Sequence, residues 1–153
     1  MNWRNLAWWI ACSVAAVLLQ ACFPGLDFML PLFLLAVQEK KLIQTCCVGV
    51  WFVLLQEGMG TLAFGGTALL YAFTAILFFA GCRLFQGKNF LFIVLLGIIL
   101  AWTHYLLFSM LCSLQNFPFR PDLLTAECAC QMFVTPFVWW CARSLRRKVK
   151  HEA

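Results

Sequence analysis

Long apolar runs separated by short polar breaks fill almost all of this chain of 153 residues. About 20 helical residues cross ~30 Å of hydrocarbon at ~1.5 Å per residue. The pattern therefore predicts an all-α polytopic transmembrane bundle of six spans, with residues 1–142 in the bundle and residues 143–153 as a basic cytoplasmic tail. The predicted spans are Leu6–Phe23, Gly25–Gln38, Leu42–Gln56, Thr61–Cys82, Asn89–Leu114 and Leu123–Ala142.

The second span is the shortest of the predicted set. Only 14 residues lie between Pro24 and Glu39, and the pattern predicts that Pro31 interrupts them. Such a segment is either a short crossing or a re-entrant segment that turns back. Hydropathy alone leaves both alternatives open.

The basic residues decide between these alternatives. If the N-terminus is cytoplasmic, six crossings place only Arg120 on the outer side and ten basic residues on the cytoplasmic side. Cytoplasmic connections carry such an excess of lysine and arginine. A re-entrant second segment would move the basic tail outside, so the sequence favours six crossings with both termini cytoplasmic. The ten residues are Arg4, Lys40, Lys41, Arg83, Lys88, Arg143, Arg146, Arg147, Lys148 and Lys150.

Composition and aromatic placement agree with a membrane bundle. Hydrophobic residues make up 64% of the chain and charged residues 11%, against about a quarter charged in soluble domains. The net charge of +5 follows from the topology and suits contact with membrane lipids, so nucleic-acid binding is not needed to explain it. Tryptophans at positions 3, 8, 9, 139 and 140 fall at the predicted cytoplasmic interface.

Nine cysteines are the next conspicuous feature. Most lie inside apolar runs, where free cysteine packs as a small hydrophobic residue. Cys128 and Cys130 have no accompanying histidine or second close pair, so we expect no metal site and no cofactor. The stretch LQAC, which ends at Cys22, resembles a lipoprotein cleavage site, but a retained first helix is the simpler interpretation.

One polar stretch, LLQEGMGTLAFGG, lies between the third and fourth spans. Helical rise places Glu57 just below the outer surface, and we expect Gly58 and Gly60 to break the helix there. Gly65 and Gly66 would let the fourth helix approach a neighbour closely. Glu57 is then either a solvated acid in a tight hairpin or an acid that lines a groove and organises the bundle.

This stretch resembles the rod shape-determining protein MreD family of bacteria. In that family a leucine-rich run ends in an acid, and a glycine eight positions later opens the next helix. Here VGVWFVLLQE ends at Glu57, Gly65 stands eight positions on, and TALLYAF follows. The sequence departs from the family pattern because glutamate replaces the usual aspartate, Thr61 a common glycine and Ala63 a common proline.

The resemblance implies a non-enzymatic scaffold of the bacterial cytoplasmic (inner) membrane that acts in cell-shape maintenance and lateral cell-wall elongation. Its expected partners belong to the elongation machinery: a bitopic MreC-like protein and a peptidoglycan synthase. On this interpretation Glu57, Gly58, Gly60 and Gly65 shape an outward-facing groove that holds partner helices.

Two further polar residues lie at the predicted outer side. His104, in the fifth span, is expected to donate one hydrogen bond between helices. A Glu57–His104 pair is a second hypothesis, because the two residues fall at similar depth. Arg120 belongs to an outer loop that is either simply the start of the sixth helix or a contact surface with Phe117 and Phe119.

No catalytic motif is recognisable, so the chain is not expected to be an enzyme. The main alternative to a scaffold is a substrate-binding membrane subunit of an energy-coupling-factor-type transporter for a vitamin or other small molecule. In that case Glu57, Trp102, His104 and Arg120 would bind the ligand. A binding subunit needs a closed concave cavity of a few hundred Å³ with convergent polar groups, whereas a scaffold needs an apolar groove that opens laterally to lipid or partner helices.

Overall fold

The structure, a computed structural model, describes residues 3–59, 65–85, 89–115 and 121–151. Within these ranges it contains six α-helices and no β-strand, so the all-α prediction is confirmed for them. The helices are α1 (Trp3–Cys22), α2 (Met29–Gln38), α3 (Leu42–Met59), α4 (Gly66–Gly81), α5 (Phe90–Gln115) and α6 (Pro121–His151).

Successive helices run in alternating directions. Asn5, near the start of α1, donates to Gln44, near the start of α3, over 2.9 Å. Gln20 and Gln56, near the ends of the same two helices, are also joined over 2.9 Å. These bonds make α1 and α3 parallel and place α2 between them in the opposite direction.

The second half of the chain continues the alternation. Phe78, near the end of α4, packs on Phe92, near the start of α5, with ring centroids 5.6 Å apart. Gly66, at the start of α4, lies beside Leu111 in the last part of α5. Gln131, in the first part of α6, bonds to Asp27, between α1 and α2. The starts of α1, α3 and α5 therefore lie at one end of the bundle together with the ends of α2, α4 and α6. The other helix termini lie at the opposite end.

The two ends differ in charge. At one end lie the described acidic residues Asp27, Glu57, Asp122 and Glu127, and we call it the acidic end. The opposite end, which we call the basic end, carries the described lysines and arginines and one acid, Glu39. Charge is therefore segregated along the bundle axis among the described residues.

The short helix α2 forms the centre of the bundle. Every residue from Met29 to Val37 is buried, and α2 packs against α1, α3, α4 and α6. Its 10 residues extend about 15 Å at helical rise, about half the thickness of a hydrocarbon core. The predicted interruption by Pro31 is wrong, because this residue lies in the first helical turn, where a missing N–H costs no helical bond.

Helix length by itself gives limited support to membrane insertion. Among the described helices, α1 and α5 are long and apolar enough by length and composition to cross a membrane. The other apolar helices, α2, α3 and α4, are shorter. Two such helices weakly indicate a membrane association, and the crossing number and orientation remain predictions.

A buried polar cluster ties helices together at the basic end. The Arg146 guanidinium bonds both carboxylate oxygens of Glu39, at 2.9 and 3.3 Å, and these side chains are only 6% and 8% exposed. Asn5 accepts a further bond from Arg146, and Gln44 donates to Glu39 over 2.7 Å. We call these four residues the Arg146 cluster. It joins α1, α3 and α6 to the end of α2.

Aromatic residues surround this cluster at the basic end. The Arg146 guanidinium carbon lies 4.4 Å from the Trp8 ring centroid and 5.6 Å from that of Trp9. Trp9 and Trp139 are buried, and the Trp139 indole N–H donates to Gln38 over 3.1 Å. These two tryptophans therefore belong to the core of the bundle, and their position at a membrane interface stays a prediction.

The last helix is longer than the predicted span. It continues to His151 and so includes most of the predicted tail. Because Arg146 is buried within the bundle, the basic residues after position 142 do not share one environment. Arg147 and Lys148 are exposed.

Candidate functional site

A cavity of about 650 Å³ lies at the acidic end of the bundle. Its wall combines the last part of α1, the connection to α2, the end of α3, the start of α4, the second half of α5 and one residue of α6. Four ionisable residues line it, namely Asp27, Glu57, His104 and Glu127, and we call it the acidic cavity. The sequence predicted two of these four, Glu57 and His104, as site residues.

Glu57 has a defined structural partner. Its Oε1 accepts a hydrogen bond from the Gly65 backbone N–H over 2.9 Å. Gly65 is the N-cap of α4 and has a φ of +99°, a conformation that glycine adopts without steric cost. The carboxylate therefore joins the end of α3 to the start of α4. Glu57 is half-buried and lines the cavity, as the groove-lining alternative requires.

The other glycines of this stretch follow the expectation only in part. Gly58 is still helical, but it lies in the last turn of α3, which ends at Met59, so the helix end falls within one residue of the predicted break. A Cβ at Gly58 or at Gly65 would meet no atom of the described residues within 4 Å, whereas one at Gly66 would lie 3.0 Å from the Leu111 side chain. Close helix approach is thus confirmed for Gly66, while Gly65 is required by its backbone conformation. Gly60 lies outside the described residues.

His104 lines the acidic cavity beside Phe108, with ring centroids 6.2 Å apart. Within the described part of the chain, its ring makes no hydrogen bond and no ion pair. The predicted interhelical bond and the predicted Glu57–His104 pair are therefore not formed there, although both residues line one cavity. The other predicted site residue, Arg120, lies outside the described residues.

Asp27 is one of the two ionisable lining residues that sequence reasoning missed, the other being Glu127. It is 5% exposed, and its Oδ1 accepts bonds from the backbone N–H groups of Met29 and Leu30 at 2.8 and 3.0 Å. Its Oδ2 lies 3.5 Å from the Tyr71 hydroxyl. An aspartate just before a helix satisfies the free N–H groups of the first turn. That signal, in PGLDFML, was available in the sequence.

Asp27 is also fixed by a side chain of α6. The Gln131 amide accepts from the Asp27 backbone N–H over 2.9 Å and donates to the Asp27 carbonyl over 2.8 Å. Its amide nitrogen additionally lies 3.3 Å from the Thr135 hydroxyl. Gln131 therefore bridges α6 and the connection before α2. This reciprocal pair holds the α1–α2 connection against α6.

Glu127 completes the charged part of the wall. It is half-buried, and its carboxyl group packs directly on Gly25. A Cβ on Gly25 would lie 2.5 Å from Glu127 Oε1, and Gly25 has a φ of +93°. Glycine at position 25 therefore serves both the turn after α1 and the close approach of this carboxyl group.

The lining defines what the cavity can do chemically. It offers carboxylate and amide oxygens as hydrogen-bond acceptors, and the lining residues that the structure describes include no lysine or arginine. No group of three or more histidine, cysteine, aspartate or glutamate residues in the described ranges could hold a metal ion. The arrangement suits binding of a hydrogen-bond donor more than a metal-assisted reaction.

Comparison with known proteins yields no match, since no family model, no curated protein and no solved structure is similar to this chain.

Proposed function

We propose that this chain is a non-enzymatic integral membrane scaffold, similar to MreD, that acts in bacterial cell-shape maintenance and lateral cell-wall elongation. The observation that carries the proposal is the hydrogen bond from the Gly65 N–H to the Glu57 carboxylate. These are the two positions that define the motif on which the resemblance rests. The bond gives a physical reason for their spacing, because the acid fixes the glycine that opens the next helix.

Surface chemistry supports a membrane location for this scaffold. Large apolar side chains are exposed on five of the six described helices, α2 being the exception. Water-soluble monomers rarely expose apolar surface so extensively. The segregation of basic and acidic residues to opposite ends also agrees with a multi-pass chain in the inner membrane whose termini are cytoplasmic.

Partner capture tests the scaffold function. The tagged full-length protein is purified in mild detergent from membranes of its own host, and co-purifying proteins are identified by mass spectrometry. We expect an MreC-like bitopic protein or a peptidoglycan synthase. Glu57→Gln should reduce this recovery if the charge shapes the partner groove. Asp122→Asn, which removes an equal charge at an exposed position of the same end, serves as the matched control.

A second candidate function is favoured by the acidic cavity itself. A volume of about 650 Å³ lies within the range of small-molecule sites, and both polar and apolar side chains line it. It supports the alternative of a substrate-binding subunit of an energy-coupling-factor-type transporter. In the same capture experiment, recovery of a transporter ATPase with its coupling protein, and of no elongation protein, would favour this function and contradict the scaffold.

A further inference from the structure

Basic residues in the last part of α6 fall into two groups. The Arg146 side chain is buried and bonds Glu39, so its charge is used inside the bundle. Arg147 and Lys148, directly after it, are exposed, and neither forms an ion pair with a residue in the described ranges. Their charges are therefore available to the surroundings of the bundle at its basic end.

Exposed aromatic residues lead along α6 to these two charges. Phe137 is 66% exposed and Trp140 is 54% exposed. Positions 137, 140, 144, 147 and 148 have the spacing that places side chains on one face of a helix. Ser144, between the rings and the charges, is small and half-buried. We call Phe137, Trp140, Arg147 and Lys148 the α6 stripe, whose apolar part precedes its charged part along the helix.

The length of α6 places the two parts of the stripe at different depths in a membrane. The helix has 31 residues and extends about 46 Å at helical rise, more than the ~30 Å of a hydrocarbon core. Arg147 follows Trp140 by about 10 Å along the axis. Helical Cα–Cβ bonds tilt toward the helix N-terminus, so the Arg147 and Lys148 side chains lean back toward the Trp140 ring. With Trp140 at the interface, where tryptophan settles, the two charges lie at the level of the headgroups.

Exposed apolar residues beside these charges indicate a lipid interface instead of open water. Leu145 is 59% exposed and Val149 is 37% exposed, on the same turns of α6 as Arg147 and Lys148. Such a mixture is typical of helices at the headgroup boundary, where long basic side chains reach the phosphates. The α6 stripe therefore fits a phospholipid, with an acyl chain beside the rings and the phosphate beside the charges.

The excess of positive charge selects the class of phospholipid. Residues 143–153 contain five basic residues and one acid, Glu152, which lies outside the described residues. Even with Glu152 counted and Arg146 paired inside the bundle, basic residues outnumber acids by four to one. Burial lowers the pKa of Arg143, and the charge of Arg147 lowers this pKa further, so the two guanidinium groups repel each other. A headgroup with net negative charge relieves this repulsion, because like charges four positions apart on a helix are unfavourable.

We infer that the α6 stripe binds an anionic phospholipid, with its phosphate at Arg147 and Lys148 and an acyl chain along Phe137 and Trp140. A zwitterionic lipid fits the same stripe less well, because its ammonium group offsets the charge of its phosphate. This inference goes beyond the scaffold function and rests on the proposed function only in placing the chain in a membrane.

Fluorescence quenching at Trp140 tests the inference. The full-length protein is reconstituted into phosphatidylcholine vesicles that contain a minor fraction of phosphatidylglycerol with brominated acyl chains. A parallel series contains the same fraction of brominated phosphatidylcholine. The chain has seven tryptophans, so the contribution of Trp140 is the difference between the protein and its Trp140→Phe variant. We expect brominated phosphatidylglycerol to associate with Trp140 about tenfold more strongly, as two basic side chains at an anionic headgroup would give.

Two double variants connect this preference to the stripe. Arg147→Gln combined with Lys148→Gln removes two exposed charges, so the fold should persist while the preference falls below about twofold. Lys41→Gln combined with Arg83→Gln is the matched control, since it removes one lysine and one arginine from exposed positions of the same end outside the stripe. If the first double variant has an altered size-exclusion profile, Lys148→Gln alone must lower the preference by about threefold.

The outcomes separate this inference from the scaffold proposal. Equal association of the two brominated lipids at Trp140, or an equal loss of preference in the control double variant, would overturn the inference. Absence of quenching at Trp140 by either lipid would contradict the membrane location, and with it both the inference and the scaffold. Failure to capture an elongation partner, with the lipid preference retained, would contradict the scaffold alone and support the lipid site.

Discussion

At the residue scale, the two glycines at positions 58 and 65 differ in what their backbone requires. Gly58 lies within a helix and faces open space, whereas Gly65 has a φ of +99° at the start of α4. A side chain is therefore tolerated at one position and strained at the other. The sequence predicted a helix break at Gly58 and close helix approach at Gly65, and it missed the backbone requirement at Gly65 because the letter G does not reveal the sign of φ.

Alanine substitution should separate these two glycines. We expect Gly65→Ala to destabilise the protein by about 1–2 kcal/mol, the usual cost of a left-handed conformation for an L-residue. Gly58→Ala should instead change the stability by less than about 0.5 kcal/mol, since Gly58 is exposed in the last turn of α3, where the helix propensity of alanine counts little. Thermal unfolding of the detergent-solubilised variants measures both effects. Equal shifts of the two variants would contradict the conformational assignment of Gly65.

The ion pair between Arg146 and Glu39 leads to a second prediction at this scale. Removing one partner of a buried ion pair leaves an uncompensated charge and typically costs about 3–5 kcal/mol. We expect Glu39→Gln to lower the melting temperature strongly. Arg147→Gln, which changes an exposed residue of α6 next to Arg146, should change the melting temperature little. In the double variant with Arg146→Gln, part of the loss should be recovered. Strictly additive losses would show that the two residues are not coupled.

The Arg146 cluster also shows where charge patterning misleads. The sequence assigned all basic residues after position 142 to a tail, since they form one run. In the structure α6 continues through this run, so side chains on its inner face point into the bundle and those on its outer face do not. The helical period places some residues of this basic run on the inner face of α6 and others on its outer face. Only the contacts of α6 with α1 and α2 reveal which residue is inside.

At the scale of elements, most helices could be predicted because apolar runs and breaks mark them directly. The starts and ends of α3 and α5 differ from prediction by only a few residues. The short helix α2 was harder to interpret, since a completely apolar segment fits both a membrane crossing and a buried core helix. Its start depends on the cap provided by Asp27, which hydropathy does not detect.

The connection before α2 depends on one glutamine of α6. Gln131→Ala would leave the Asp27 N–H and carbonyl group without their partners inside the bundle. Each unpaired buried group costs about 1–3 kcal/mol, so we expect a clear loss of stability. Thr125→Ala, at an exposed position of α6, is the control. If both variants melt at the same temperature, the reciprocal pair does not hold α2 in place.

At the scale of the whole molecule, charge segregation connects the fold to the proposed functions. The acidic cavity and the Arg146 cluster lie at opposite ends of one bundle, so a membrane crossing would expose them to different compartments. Counting lysine and arginine residues along the sequence predicted which end of the bundle is basic, because this count does not depend on how the helices pack. The cavity could not be predicted, because it forms only where parts of five helices and one connection meet.

Membrane topology is the whole-molecule property on which both proposed functions depend, and α2 is its critical element. If α2 turned back without crossing, the chain on its two sides would face the same compartment. Alkaline phosphatase, which is active only outside the cytoplasm, can be fused after successive connections of the chain. Matched fusions to a cytoplasmically active reporter, and immunoblots of expression level, provide the control.

The most direct measurement compares fusions after Gly25 and after Lys41. The account predicts high phosphatase activity after Gly25 and low activity after Lys41, with the cytoplasmic reporter giving the reverse. This result would place the acidic cavity outside and the basic end inside. High phosphatase activity at both positions would mean that α2 does not cross, and it would contradict the six-span bundle with cytoplasmic termini.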